Sequence, residues 1–195
     1  DLVAFCLGEG VGGATPSDFP LVSLGQAEVD RLVGDGRDVV DVWPLTPMQQ
    51  GMFFHSFLEP GSSSYFEQVV VELDGVEDPV GLGRAWASVV DRHPVLRMTV
   101  AWQGLDEPVV LVRAGVRTPV SHVDLRGSSE GDRGRAIEDF LAEDEAAGLD
   151  LGEGPLLRVG LLRTSDTRVV LVWTFHHLLL DGWSLPLVLE DVLTA

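Results

Sequence analysis

At 195 residues and 45% hydrophobic content, the chain is long enough to enclose one sizeable core. Its formal charge of -18, with 13 arginines, no lysine and no basic run, argues against nucleic acid and anionic membrane as partners. Cys6 is the sole cysteine, so no internal disulfide can form. With no long apolar run and no basic-headed signal peptide, the expected compartment is the cytoplasm.

Residues 1–38 read as a linker arriving from an upstream domain, because the chain begins without methionine and Gly8–Gly13 and Thr15–Pro20 are turn-forming. A short helix over Gln26–Val33 is expected there, broken by Gly34–Gly36. Residues 39–195 then read as one unit. Thr46 as N-cap, Pro47 at the first helical position and Gln49 three residues after Thr46 start a helix that runs to about Leu58, where Pro60-Gly61 ends it. Met48, Met52 and Phe53 are its expected packed face, with His55 structural or partly exposed.

Tyr65–Leu73 has the β-branched and aromatic content of a strand. Asp78-Pro79 opens the clearest amphipathic helix, with Leu82, Ala85, Trp86, Val89 and Val90 on one stripe and a stop at Asp91–Pro94. Val95–Trp102 and Pro108–Val112 suggest a strand pair, and Val116–Asp124 another short strand. Arg126–Gly134 reads as polar loop and Arg135–Ala147 as helix. Leu156–Leu162 and Thr167–Phe175 form two strands around Thr164–Asp166; the second is apolar on both parities, as a central strand covered on both faces requires. Ser184 is placed as the cap of a last helix with Leu185, Val188, Leu189 and Val192 inward. The fold class is therefore α/β, or α+β layered: a mixed sheet packed with helices.

The chemistry concentrates in Phe175–Ser184, where His176 and His177 end the most apolar strand and Asp181-Gly182 follows four residues later. A neutral imidazole can accept a proton at cellular pH, a nearby carboxylate can orient it, and glycine leaves room for a substrate. The plainer alternative is a histidine satisfied by backbone. For Asp181 the plainer role is structural, in an Asp-Gly turn or paired with an arginine. His177 and Asp181 have a metal-like spacing, but no further ligand cluster accompanies them, so no metal is expected. Ser184 lacks a nucleophile-elbow motif. Arg92-His93 and Arg97, at a helix end and a strand start, suit the negative end of the helix dipole.

Three segments, in order, resemble motifs of the condensation domain of nonribosomal peptide synthetases: Leu45–Met52, Arg92–Arg97 with Pro94 where glutamate is commoner, and Phe175–Ser184 with Phe175 for the usual methionine. The resemblance covers about Val39–Ala195. It implies a chloramphenicol-acetyltransferase-like lobe. It also implies attack of an aminoacyl-thioester amine on a donor peptidyl or acyl thioester. Both substrates would ride on phosphopantetheine arms of upstream and downstream peptidyl carrier proteins, the chain itself binding no cofactor. By position, His177 would be the base or would position the amine. His176 and Asp181 would shape the site, and Gly182 would leave room. Arg92, Arg97, Trp183 and Ser184 would support it.

The family domain has two lobes with the site in the tunnel between them. This chain is therefore expected to be the N-terminal half, with the C-terminal lobe and neighbouring synthetase domains as partners and little activity alone. Thr15–Leu21 resembles the linker after an epimerization domain, and Gln49–Met52 the subtype that takes D-configured donors. Two other readings are an epimerizing relative, against which Trp183-Ser184 speaks, and a non-catalytic carrier-docking lobe.

Overall fold

The computed structural model describes residues 13–59 and 64–195. Cys6, the glycine-rich run up to Gly12 and the Pro60-Gly61 helix stop lie outside the described residues. Among the described residues, five helices alternate with seven strands: α1 (Gln26–Val33), β1 (Val39–Pro44), α2 (Pro47–Leu58), β2 (Phe66–Asp74), α3 (Pro79–Arg92), β3 (Met98–Ala101), β4 (Val109–Arg113), β5 (Val120–Asp124), α4 (Glu130–Ala147), β6 (Leu157–Arg163), β7 (Arg168–His176) and α5 (Ser184–Thr194). Short 3-10 turns occupy Pro16–Asp18 and Pro94–Arg97.

The strands divide between two sheets rather than one. A four-stranded sheet runs β2-β7-β6-β5, antiparallel except for the parallel β5–β6 pair; a separate antiparallel sheet runs β1-β4-β3. The expected mixed sheet is the first of these. The second depends on β1, which has no counterpart among the expected elements. Asp41 interrupts its apolar run, and it ends in Pro44, which only an edge strand tolerates.

β7 lies between β2 and β6 and is buried along all but its first residue. Side chains alternate across a strand, so its two parities serve two cores. Val169, Leu171, Trp173 and Phe175 join the main core with Trp86, Val89 and Val90 of α3 and Val188 and Val192 of α5. Val170 and Val172 face the other way, toward Ile137, Phe140 and Leu141 of α4. Trp86 and Trp173 are fully buried, with ring centroids 4.9 Å apart, and lock α3 onto the sheet. In the second sheet, Val110 and Val112 face the main core, while Val109 and Leu111 pack with Phe19, Val29 and Val33 from the segment before Val39.

Several elements differ from expectation for local reasons. Val95–Arg97 belong to a 3-10 turn begun by Pro94, so β3 starts only at Met98. Helix α4 starts at Glu130, not Arg135, because Ser129 caps it by accepting the Asp132 N–H at 3.2 Å. Ser184 is the first residue of α5, not its cap; Asp181 supplies the capping oxygen. Finally, Met48 is 70% exposed, and the inward face of α2 is Gln49, Met52, Phe53 and Ser56, at spacings of i, i+3, i+4 and i+7.

Candidate active site

The two histidines leave β7 on opposite faces because they are adjacent in a strand. Backbone pairing carries past the strand end: His176 N–H donates to Leu156 O and His177 N–H to Tyr65 O. Both Cα positions are thereby fixed by the sheet.

His176 is 6% exposed. Its Nδ1 accepts the Leu178 N–H at 3.1 Å, which leaves Nε2 to carry the proton and donate to Ser56 Oγ of α2 at 3.3 Å. Burial, and secondarily its neighbour His177, pushes its pKa down to about 4. The ring is therefore neutral at pH 7. Its ring also borders a cavity of about 700 Å³ walled by Phe53, Phe57, Phe66 and Trp102, together with residues of α4 and the loop after it. His177 does not line that cavity.

His177 is the more open of the two, its side chain 30% exposed. Its Nδ1 lies 3.1 Å from Leu180 O. A carbonyl only accepts, so Nδ1 holds a proton and donates it. Nδ1 thus accepts in His176 and donates in His177, and in the neutral form of His177 the lone pair is on Nε2. Phe175 meets this ring edge-on, with centroids 6.0 Å apart. Nε2 lies 3.0 Å from Oε1 of Glu67 on β2.

The loop after the histidines is tied down by its own residues and by α2. Asp181 Oδ1 accepts from Ser184 N–H at 2.9 Å and from Ser184 Oγ–H at 2.7 Å, and those bonds hold its carboxyl below the usual aspartate range. No ion pair to Asp181 forms among the described residues; its carboxylate is engaged in the turn that leads into α5. Gly182 has open space where a Cβ would stand, and Trp183 is 88% exposed. Gln49 bridges the first and third motifs: its Oε1 accepts from Thr46 N–H at 3.0 Å, and its Nε2–H₂ donates to Leu178 O at 2.9 Å.

Arg92 and Arg97 lie in different contacts. Arg92 is 3.8 Å from Asp191 of α5, which His93 Nε2 also meets at 2.6 Å, so the end of α3 is clamped to α5. Arg97 donates from Nη1 to Arg113 O and ties the 3-10 turn to β4. Both arginines therefore brace the elements around α3 rather than the histidine loop.

Three participants carry no motif signal in the sequence: Ser56, Glu67 and the Leu180 carbonyl. Ser56 is one helical turn from Met52 on the same face of α2, and that spacing is the signal that could have found it. The other two depend on strand register and loop shape.

Residues 39–195 match the family model described as "Condensation domain". A component of the linear gramicidin synthase of Brevibacillus parabrevis is 40% identical over 190 residues, 97% of this chain and 4% of that protein. Bacitracin synthase 1 of Bacillus licheniformis is 36% identical over 194 residues, 98% of this chain and again 4% of the relative. Among solved structures, tallysomycin biosynthesis protein TlmII aligns with TM-score 0.68 at 27% identity, covering 78% of this chain and 37% of that one. The starter condensation domain of rhizomide synthetase RzmA aligns with TM-score 0.68 at 21% identity, a likeness of fold over 77% of this chain and 37% of that one. The chain therefore spans a few per cent of its curated relatives and little more than a third of these solved chains. With the three ordered motifs on a shared fold and a family match over most of its length, the chain belongs to the condensation-domain family of nonribosomal peptide synthetases.

Proposed function

We propose that the chain supplies one wall of an amide-forming site, where the amine of an aminoacyl thioester attacks a donor peptidyl or acyl thioester. The observation that carries this is the orientation of His177: the Leu180 carbonyl occupies Nδ1, so Nε2, which faces Glu67 at 3.0 Å, is the ring nitrogen left to exchange a proton with a substrate. A model α-amino group has a pKa of about 8 and must lose a proton before it attacks. As the new C–N bond forms and the C–S bond breaks, the amine's proton passes to a base at Nε2, and the departing thiolate of the donor arm takes a proton in turn. His176, neutral and buried, fixes the loop; Asp181 and Ser184 shape it; Gly182 leaves the approach open. Both substrates come on phosphopantetheine arms of upstream and downstream peptidyl carrier proteins.

The site needs a second wall, and several exposed apolar residues support one: Met48 and Phe54 on α2, Trp183 before α5 and Leu187 on it. A second lobe over the histidine loop would enclose the reactants and exclude water. Residues 1–38 serve as the linker from an upstream domain. The donor is D-configured at its reacting residue, a reading supported by the resemblance of Gln49–Met52 and Thr15–Leu21 to that subtype.

The test is reconstitution: the intact synthetase containing this segment is given donor- and acceptor-loaded carriers, and the acceptor arm is read by mass spectrometry. Condensed product is expected, with D-terminated donors preferred. Epimerized donor without amide product would refute the reading, and a clear preference for L-terminated donors would refute the subtype. This segment alone is expected to give little or no product.

A further inference from the structure

The family motifs do not include Glu67, yet its carboxylate lies beside the working nitrogen of His177. Glu67 stands opposite Phe175 in the antiparallel β2–β7 register, so it shares a sheet face with His177 two residues beyond. That diagonal brings Oε1 to 3.0 Å from Nε2, with the Glu67 side chain 45% exposed and thus open to solvent. Nδ1 is committed to Leu180 O, so Nε2 is the nitrogen that meets the carboxylate. A bare Nε2 facing an ionised carboxylate sets a lone pair against a negative charge, whereas a protonated one forms an ion pair. Among the described residues, three neighbours of this ring have other roles. His176 on β7 is held neutral by burial, Phe175 is apolar, and Asp181 caps α5.

We propose that Glu67 is a positioning residue that draws the cationic amine of the acceptor to Nε2 of His177. The inference rests on the reading of this site as amide-forming. An acceptor amine with a pKa of about 8 arrives mostly as ammonium at neutral pH. A half-exposed carboxylate is the group that attracts such a cation, and the ammonium displaces the imidazole as its partner. The proton on Nε2 leaves to solvent as the ammonium takes its place at the carboxylate, and the bare Nε2 then faces the amine. The carboxylate thus selects for an amine over a neutral nucleophile, and it orients the ring while the site is empty.

The experiment measures binding, without donor, of two acceptor-loaded carriers to the intact synthetase and to its E67Q variant. One carrier bears an aminoacyl thioester and the other the matching α-hydroxyacyl thioester. Glutamine keeps size and shape and removes only the charge. E67Q is expected to weaken the aminoacyl carrier roughly tenfold, the Coulomb attraction of unit charges in hydrogen-bond contact, about 3 Å apart, in a water-like dielectric, and to leave the hydroxyacyl carrier unchanged. Equal weakening of both carriers, or less than a twofold effect on the aminoacyl one, would overturn the proposal. Because no bond forms in this measurement, it stands apart from the reaction itself: loss of the amide-forming reading would show as unchanged product formation in H177A.

Discussion

Acid should destabilise this chain through one buried histidine, and the size of the effect follows from His176. The ring's pKa falls from 6.5 to about 4, burial being the larger cause. In the unfolded chain the ring takes up a proton near pH 6.5, while the folded chain resists until about pH 4. The unfolded state therefore binds more protons across that window, and stability falls as pH falls through it. From these values the native state loses about 2 kcal/mol between pH 7 and pH 5, and about 3 kcal/mol in all by pH 4. Carboxylates also titrate toward the lower end, and neutralising a charge of -18 relieves repulsion, so the total pH slope mixes several effects. The His176 share is isolated by His176→Asn, which keeps an acceptor near the Leu178 N–H and removes the titration. Urea unfolding at pH 7, 6 and 5, followed by tryptophan fluorescence, reads both chains. The wild-type chain should lose about 2 kcal/mol more than the variant between pH 7 and pH 5. Equal losses would refute the reasoning, because they would mean that His176 titrates alike in both states.

Further substitutions test the packing that places the histidine strand. Asp144 of α4, its side chain 11% exposed, accepts from Gln68 of β2 and Arg158 of β6, each at 2.8 Å, and from Thr174 of β7. Burial raises its pKa, but the bonds from Arg158, Thr174 and Gln68 together outweigh this and lower it. Asp144→Ala leaves Arg158 without its carboxylate and should cost about 3 kcal/mol in urea unfolding at pH 7. Gly160 on β6 has Phe140 of α4 where a Cβ would sit, with ring atoms at 2.5 and 2.6 Å. Gly160→Ala should cost about 1–3 kcal/mol, and adding Phe140→Ala should recover part of that loss; a simple sum of the two costs would mean that α4 does not rest on this contact.

Elements whose local signal agrees with their packing are legible in the sequence. Helix α3 is one: the apolar stripe from Leu82 to Val90 between Pro79 and Pro94 carries both its periodicity and its ends. Helix α2 starts as its capping box dictates, and β7 is buried on both faces as its unbroken apolar run implies. The differences arise where a polar residue or a glycine stands inside an element. Gly131 and Gly134 disguise the first turns of α4, which Ser129 starts, and Asp41 hides β1. On α2, hydrophobicity favours Met48 for the inward face, but Gln49 occupies it because its amide bonds Leu178 O. The pattern H-H-x-x-x-D-G marks where the site lies. It does not reveal that Nδ1 accepts in one ring and donates in the other, because those roles depend on the Leu178 N–H and the Leu180 carbonyl. Glu67 is hidden for a different reason: it is 110 residues from His177 and meets it only through the β2–β7 register.

The most direct measurement compares wild-type and His177→Ala forms of the intact synthetase, loaded with donor and acceptor carriers, under single-turnover conditions. Amide formation is expected to fall by about 10²–10⁴-fold, the usual worth of a positioned acid–base group, while both loaded carriers still bind. Product formed at the wild-type rate would contradict a catalytic role for His177 and leave this face as a carrier-docking surface alone.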